Sequence, residues 1–294
     1  VEHLRSEDGR HDTTHDAAHG VGQGITQGPT RNDASSRRAF VAAIAALGLG
    51  TLPAFSFAQN GLTPPPAPGT SFPNGGVPSD GAVQFAALPG RNINEKVLNF
   101  ALTLELLEAD LYRQALNLAS GRAKNTPLNN DRNAYRLKVP SGGLSPGARD
   151  AAFRYLVDFS LVEVAHREFL IGALWMGGAP IAKANPRGYK FPTALPANLA
   201  GILAAILPLE ETGVRAYLGA LPYLTDLMLA QTAGTIFSTE ARHSAAIAYV
   251  LNVDPGPRPS NGDLKVAPAY PAQNTFEYFL KPTTVLTAAS AYFA

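Results

Sequence analysis

Cysteine is absent from this chain of 294 residues. Thiolate metal sites, iron–sulfur clusters, cysteine nucleophiles and disulfide staples are therefore excluded, and any bound metal must be held by oxygen and imidazole donors. An excess of charge of either sign is also missing: 24 Lys and Arg stand against 23 Asp and Glu. That balance gives no argument for nucleic acid or an acidic partner. No repeat of solenoid period occurs. The apolar run Phe40–Phe57 is too short for a comfortable membrane span. Stability must then come from packing, and the length allows a substantial buried core in one or two domains.

Histidine is scarce in an informative way. Of the six in the chain, only His166 and His243 lie beyond the N-terminal leader, and each follows a glutamate by three residues. These are Glu163 and His166 in LVEVAHREFL, and Glu240 and His243 in FSTEARHSAAIAYV. Two further glutamates stand in helix-like runs without a histidine: Glu105 in ALTLELLEADLY and Glu210 in ILPLEETGVRAY. Each of those is followed seven residues later by a tyrosine, Tyr112 or Tyr217. The order is Glu, Glu-x-x-His, Glu, Glu-x-x-His, one element per helix. A four-helix bundle that gives one Glu from two helices and Glu-x-x-His from the other two holds a pair of iron or manganese ions.

The leader gives a different kind of signal. Val1–Ala34 is polar and without apolar periodicity, so it reads as disordered or as part of a long leader. His11, His15 and His19 are four apart, but no apolar face would hold a helix there, and they carry no role in this reading. Ser36-Arg37-Arg38-Ala39-Phe40 precedes the apolar run, which ends in Ser56-Phe57-Ala58, a small-x-small cleavage pattern. The stretch resembles a twin-arginine export signal, with Ala42 where the usual lysine stands. Residues 1–58 are thus expected to export the chain to the periplasm or beyond the cell. A route that carries folded proteins suits a metalloprotein loaded before export. Residues 59–91 form a linker or an arm on the bundle. Asn60–Gly90 has seven prolines and six glycines, a composition that reads as neither helix nor central strand.

Four helices follow within residues 92–252. Helix one is expected over Ile93–Ala119, closed by Gly121; helix two opens at Ser145-Pro146 and stops at Gly177-Gly178. Ala179–Leu195, with three prolines and no periodicity, is long enough to cross the length of a bundle. Helix three is expected over Ala197–Leu221, with a kink or break at Pro208, and helix four over Leu224–Leu251. Residues 253–294 form a C-terminal extension, whose mildly apolar part, Thr275–Ala294, packs as a strand or a short helix. The fold class is therefore all-α, a four-helix bundle; the long crossover between helices two and three is what a ferritin-like topology needs, a partial match because the loop between helices one and two is also long.

Carboxylates and imidazoles in the middle of apolar helices are expensive to bury unless paired or bound to a cation. The metal-ligand candidates are Glu105, Glu163, His166, Glu210, Glu240 and His243. Glu108 competes with Glu105, and Glu211 with Glu210; the shared Glu-x6-Tyr spacing favours Glu105 and Glu210, because residues seven apart lie on nearly the same face. Tyr112 and Tyr217 read as core aromatics with satisfied hydroxyls, or as donors to the ligands. Asp158 is a candidate acceptor for one imidazole.

Four runs together resemble the exported ferritin-like domain family, which includes the plant desiccation-related proteins: NFALTLELLEADLYRQAL, VEVAHREFL, LEETGVRAYLGAL and STEARHSAAIAYVL. Leu-Glu-x-x-Glu-Ala-x-x-Tyr, Glu-x-x-Gly-Val-x-Ala-Tyr-x-Gly-Ala and Glu-Ala-Arg-His carry the likeness over about Asn92–Asn252. The resemblance implies a ferritin-like fold with two divalent metal ions, iron or manganese. It implies Glu163 and Glu240 bridging, Glu105 and Glu210 terminal, and one histidine on each metal. The expected chemistry is redox turnover of dioxygen or peroxide, of ferroxidase, peroxidase or catalase type, in oxidative or desiccation stress. A metal-binding or structural protein without turnover is the alternative. As for partners, no nucleic acid and no stable membrane span after signal cleavage are expected, and a homo-oligomer is left open.

Overall fold

The computed structural model describes residues 78–253, 277 and 279–294. The export-signal reading, residues 1–58, and most of the linker lie outside the described residues. So does the first part of the C-terminal extension. Among the described residues there are helices and no strands, with one isolated bridge between Tyr189 and Phe293.

Four long helices form the bundle: α1 (Ile93–Ala119), α2 (Pro146–Met176), α3 (Leu199–Ala220) and α4 (Leu227–Val250). Local chemistry sets their ends. Asn92 accepts from the backbone N–H of Glu95 at 3.0 Å, and Ser145 caps α2 ahead of Pro146. At the other end of α2, Gly178 takes a left-handed φ of 61°, which stops the helix. Asn198 and Asp226 cap α3 and α4, so these helices start two and three residues later than their apolar content suggests.

Pro208 does not break α3. The helix runs through it unbroken from Leu199 to Ala220. Pro208 is on the exposed side, and so is Ala204 one turn back, the residue whose carbonyl loses its usual N–H partner. The buried side of α3, which carries Glu210, keeps its apolar packing on either side through Ile206 and Val214.

The helices alternate in direction along the α1–α2 and α3–α4 pairs, which make the largest interhelical contacts. One apolar cluster gathers the C-terminal part of α1 (Tyr112, Leu116), the start of α2 (Leu156), the start of α3 (Ile202) and the end of α4 (Ile247). A second cluster joins Leu102 of α1 and Leu170 of α2 to Tyr217 of α3 and Ile236 of α4. The long connection between α2 and α3 is the crossover that keeps these two helices parallel. Between the two apolar clusters lies a polar layer.

Two further segments dress the bundle. The Pro/Gly-rich arm contains one helical turn, Gly81–Gln84, which its composition argues against; the turn forms because Phe85 is wholly buried edge-on to Phe100 and Tyr223. The C-terminal tail is a short helix, α5 (Pro282–Ala289), rather than a strand, and it packs on α3. None of the described helices is long and apolar enough to cross a membrane.

Candidate metal centre

Each bundle helix places its polar residues in the middle layer, where the apolar clusters above and below exclude water. Glu105, Glu163 and Glu240 have no exposed surface, Glu210 has 1 % and His243 3 %. The side chain of His166 is 13 % exposed. The i, i+3 spacing brings Glu163 and His166 onto one face, with His166 Nδ1 3.1 Å from Glu163 Oε2. The same nitrogen lies 3.3 Å from Glu240 Oε1 and 3.6 Å from Glu105 Oε2. His243 Nδ1 lies 2.9 Å from Glu163 Oε1 and 3.4 Å from Glu210 Oε2.

All six candidates thus converge, and they do so as two overlapping groups. Glu105, Glu163, His166 and Glu240 form one; Glu163, Glu210, Glu240 and His243 form the other. In each group the donor atoms lie within 4.8 Å of one another. Glu163 and Glu240 belong to both.

The hydrogen bonds separate the shared carboxylates from the others. Tyr217 of α3 donates its hydroxyl to Glu105 Oε1 of α1 at 2.7 Å, while Tyr112 of α1 donates to Glu210 Oε1 of α3. Glu105 and Glu210 therefore each have one oxygen fixed by a tyrosine on the opposite helix and one, Oε2, without a partner. Glu240 has neither oxygen satisfied, and Glu163 leaves Oε1 without a partner. His243 Nδ1 also lacks a hydrogen bond, because its 2.9 Å approach to Glu163 is not aligned for one. Phe159 stacks on the His243 ring at 3.8 Å between centroids and fixes its plane.

Leaving a buried polar atom unpaired costs about 1–3 kcal/mol, and more when it is charged. Five carboxylate oxygens and an imidazole nitrogen of these residues carry that cost at one point in the core. Hard oxygen and imidazole donors converging in a water-excluded layer fit a divalent metal, which would satisfy them together.

The alternatives weighed in the sequence divide. Glu211 is turned away: it pairs with Arg215 at 2.7 Å and accepts from the Ser244 hydroxyl. Glu108 is buried beside the cluster and belongs to neither group. Asp158 does not serve an imidazole but lies 2.9 Å from Arg132 Nε. The tyrosines were the part that sequence reasoning undervalued; the repeated seven-residue offset from Glu105 and Glu210 was their signal.

A model of the ferritin-like domain matches residues 94–253, more than half of the chain and all four bundle helices. The chain belongs to the ferritin-like domain family. No curated protein matches it. In this ferritin-like domain the buried Glu and His cluster is a group that could bind metal, at the level where the four helices meet.

Protonation in the metal-free domain follows from burial. Burial pushes Glu105 up to about 7 and Glu240 well above the usual range, and the neighbouring carboxylates add to the rise at Glu240. At Glu163 burial also pushes upward, but the two imidazoles outweigh it and hold the group at about 2. For His243 burial pushes down, while the Glu163 and Glu210 carboxylates beside the ring lift it to about 9. Glu105 and His243 thus bind protons more tightly folded than unfolded. Their contribution to stability is complete below 4.5 and 6.5 and is lost as pH rises through about 7 and about 9. Glu163 has the opposite sign: its contribution is present above 4.5 and lost as pH falls through about 2. The metal-free protein should therefore melt at lower temperature as pH rises from 5 to 9.5, and metal uptake should release protons. Thermal melts in chelator across that range check the first statement; a flat or rising melting temperature would contradict it.

Proposed function

We propose that Glu105, Glu163, His166, Glu210, Glu240 and His243 hold two divalent metal ions, iron or manganese. The chemistry such a pair would supply is redox turnover of dioxygen or peroxide, of ferroxidase, peroxidase or catalase type, in an exported stress-protection protein. The observation that carries this reading is the pair of overlapping donor groups that share Glu163 and Glu240. When bound, such a pair supplies reversible electron transfer at two adjacent ions, with carboxylates favouring the higher oxidation state.

The chain's own residues do the rest. Glu163 and Glu240 belong to both groups, and Glu105 and Glu210, each with the one oxygen that its tyrosine leaves free, would each hold one ion. That arrangement fixes the terminal carboxylates before an ion arrives and lowers the cost of ordering them. The apolar clusters on either side keep bulk water out, which strengthens every charge interaction inside. An apolar pocket lies one helical turn from the centre, lined by Ala101, Leu170, Tyr217 and Ile236. Its wall includes the tyrosine that holds Glu105, and its apolar lining suits dioxygen, which is small and apolar, rather than peroxide. The leader's twin-arginine-like signal supports a periplasmic or secreted location.

Protein loaded anaerobically with Fe(II) or Mn(II) should consume dioxygen or hydrogen peroxide in proportion to bound metal, followed with an oxygen electrode and a peroxide assay. Glu163→Ala should abolish that consumption. Metal that binds without consumption of either oxidant would replace the redox reading with metal sequestration.

A further inference from the structure

Among the described residues, Glu108 is the one buried carboxylate of the middle layer that the two donor groups leave unused. It stands one turn after Glu105 on α1, is 5 % exposed, and its Oε2 has no hydrogen-bond partner. Gly213 of α3 lies close to it. A Cβ at that position would fall 2.8 Å from Glu240 Oε2 and 3.4 Å from Glu108 Oε1. The glycine therefore keeps open a notch onto which both carboxylates face, and any side chain there would fill it.

Glu240 is divided between two directions. Its Oε1 faces His166, and its Oε2 faces the notch; neither has a hydrogen bond. The notch also communicates with a pocket between α1, α3 and the C-terminal segment. Its wall includes Glu108, Thr212 and Gly213 on the bundle side and Ala288, Ala289 and Tyr292 on the tail side. The pocket is thus roofed by α5 and floored by an unpaired carboxylate.

We propose that Glu108 and Glu240 Oε2 form a further divalent-cation position beside the centre, from which ions arriving under the C-terminal helix pass to the pair. Two carboxylates neutralise one divalent charge. An all-oxygen donor set with space for water suits Mn(II) or Fe(II) over softer ions. With fewer protein donors than either group of the centre and one carboxylate shared with it, this position binds more weakly. The proposal rests on the reading of the neighbouring cluster as a metal centre.

The test uses the full chain, stripped of metal and titrated anaerobically with Mn(II), with free ion counted by electron paramagnetic resonance. The wild type should bind three equivalents, two tightly and the third at least tenfold more weakly. Glu108→Gln, which keeps size and shape, should bind two tight equivalents, and the pair should fill at least tenfold more slowly in stopped-flow mixing. Glu108→Asp, which keeps the charge, should recover the third equivalent. Two equivalents in the wild type, or three in Glu108→Gln, would overturn the proposal. Loss of the tight pair in Glu108→Gln would also overturn it, since Glu108 would then be a ligand of the centre itself. No tight Mn(II) in the wild type would instead remove the metal-centre reading on which the proposal stands.

Discussion

Two divalent ions loaded into the metal-free protein should raise its melting temperature by roughly 15 °C or more. An ion present at a thousand times its dissociation constant stabilises the state that binds it by about 4 kcal/mol, so two contribute about 8 kcal/mol. For a bundle of this size each kcal/mol moves the midpoint by about 2–4 °C. The effect is expected to be large because the ligands are already buried and unpaired: Glu105 Oε2, Glu163 Oε1, Glu210 Oε2, both oxygens of Glu240 and His243 Nδ1. An ion removes those costs and adds its own binding energy. Calorimetry of chelated and reloaded protein measures the shift. A change of less than about 2 °C with Fe(II), Mn(II) and Zn(II), a small fraction of what one tightly held ion should give, would mean that the six residues satisfy one another without metal.

Gly219→Val should be the most damaging single substitution outside the centre. A Cβ at Gly219 would lie 1.8 Å from the carbonyl oxygen of Leu280 and 2.8 Å from its carbonyl carbon, both backbone atoms with nowhere to move. The same stretch of tail is held by the Leu280 N–H donating to the Arg215 carbonyl at 3.1 Å. Displacing it exposes Val285 and Ala289 and uncovers the cluster around Leu107, Leu111 and Leu209 on which they pack. Each fully buried aliphatic side chain of this size is worth about 1.5–3 kcal/mol, so a total loss of about 3–5 kcal/mol is expected. Proteolysis near residue 280 should accelerate in parallel. Gly234, on α4, provides the contrast: nothing lies near its Cβ position, and Gly234→Ala should stabilise by about 0.5–1 kcal/mol. Equal stability of Gly219→Val and wild type would show that the tail does not pack on α3 as described.

The sequence carried the four helices because their signals are local. Ser145-Pro146 and Gly177-Gly178 mark the ends of α2 through cap chemistry that needs no tertiary partner. The starts of α3 and α4 were less legible. Apolar content runs on past Asn198 and Asp226, and only the folded caps show where the hydrogen-bonded turns begin. The continuity of α3 through Pro208 could not be read either, since it depends on which side of that helix meets solvent. Gly81–Gln84 is helical because Phe85 finds a pocket between Phe100 and Tyr223, a tertiary reason that composition does not contain.

The same division holds at the centre. Glu-x-x-His spacing, the scarcity of histidine and the Glu-x6-Tyr offset pointed to six residues, and the fold brings those six together. What the offset did not convey is its exchange across the bundle: Tyr112 serves Glu210 and Tyr217 serves Glu105, which requires α1 and α3 to run antiparallel as neighbours. Glu108 was weighed only as a competitor of Glu105. Residues three apart on a helix share a face, so both are buried, one in the centre and the other in the notch beside Gly213.

Metal content tests the central claim most directly. Wild-type protein and a Glu163→Ala/Glu240→Ala variant would be loaded anaerobically with Fe(II) or Mn(II), freed of loose ions by gel filtration, and analysed by mass spectrometry. The account predicts about two tightly held equivalents in the wild type and loss of both together in the variant, because Glu163 and Glu240 belong to both donor groups. No metal in the wild type, or the same two equivalents in the variant, would contradict it.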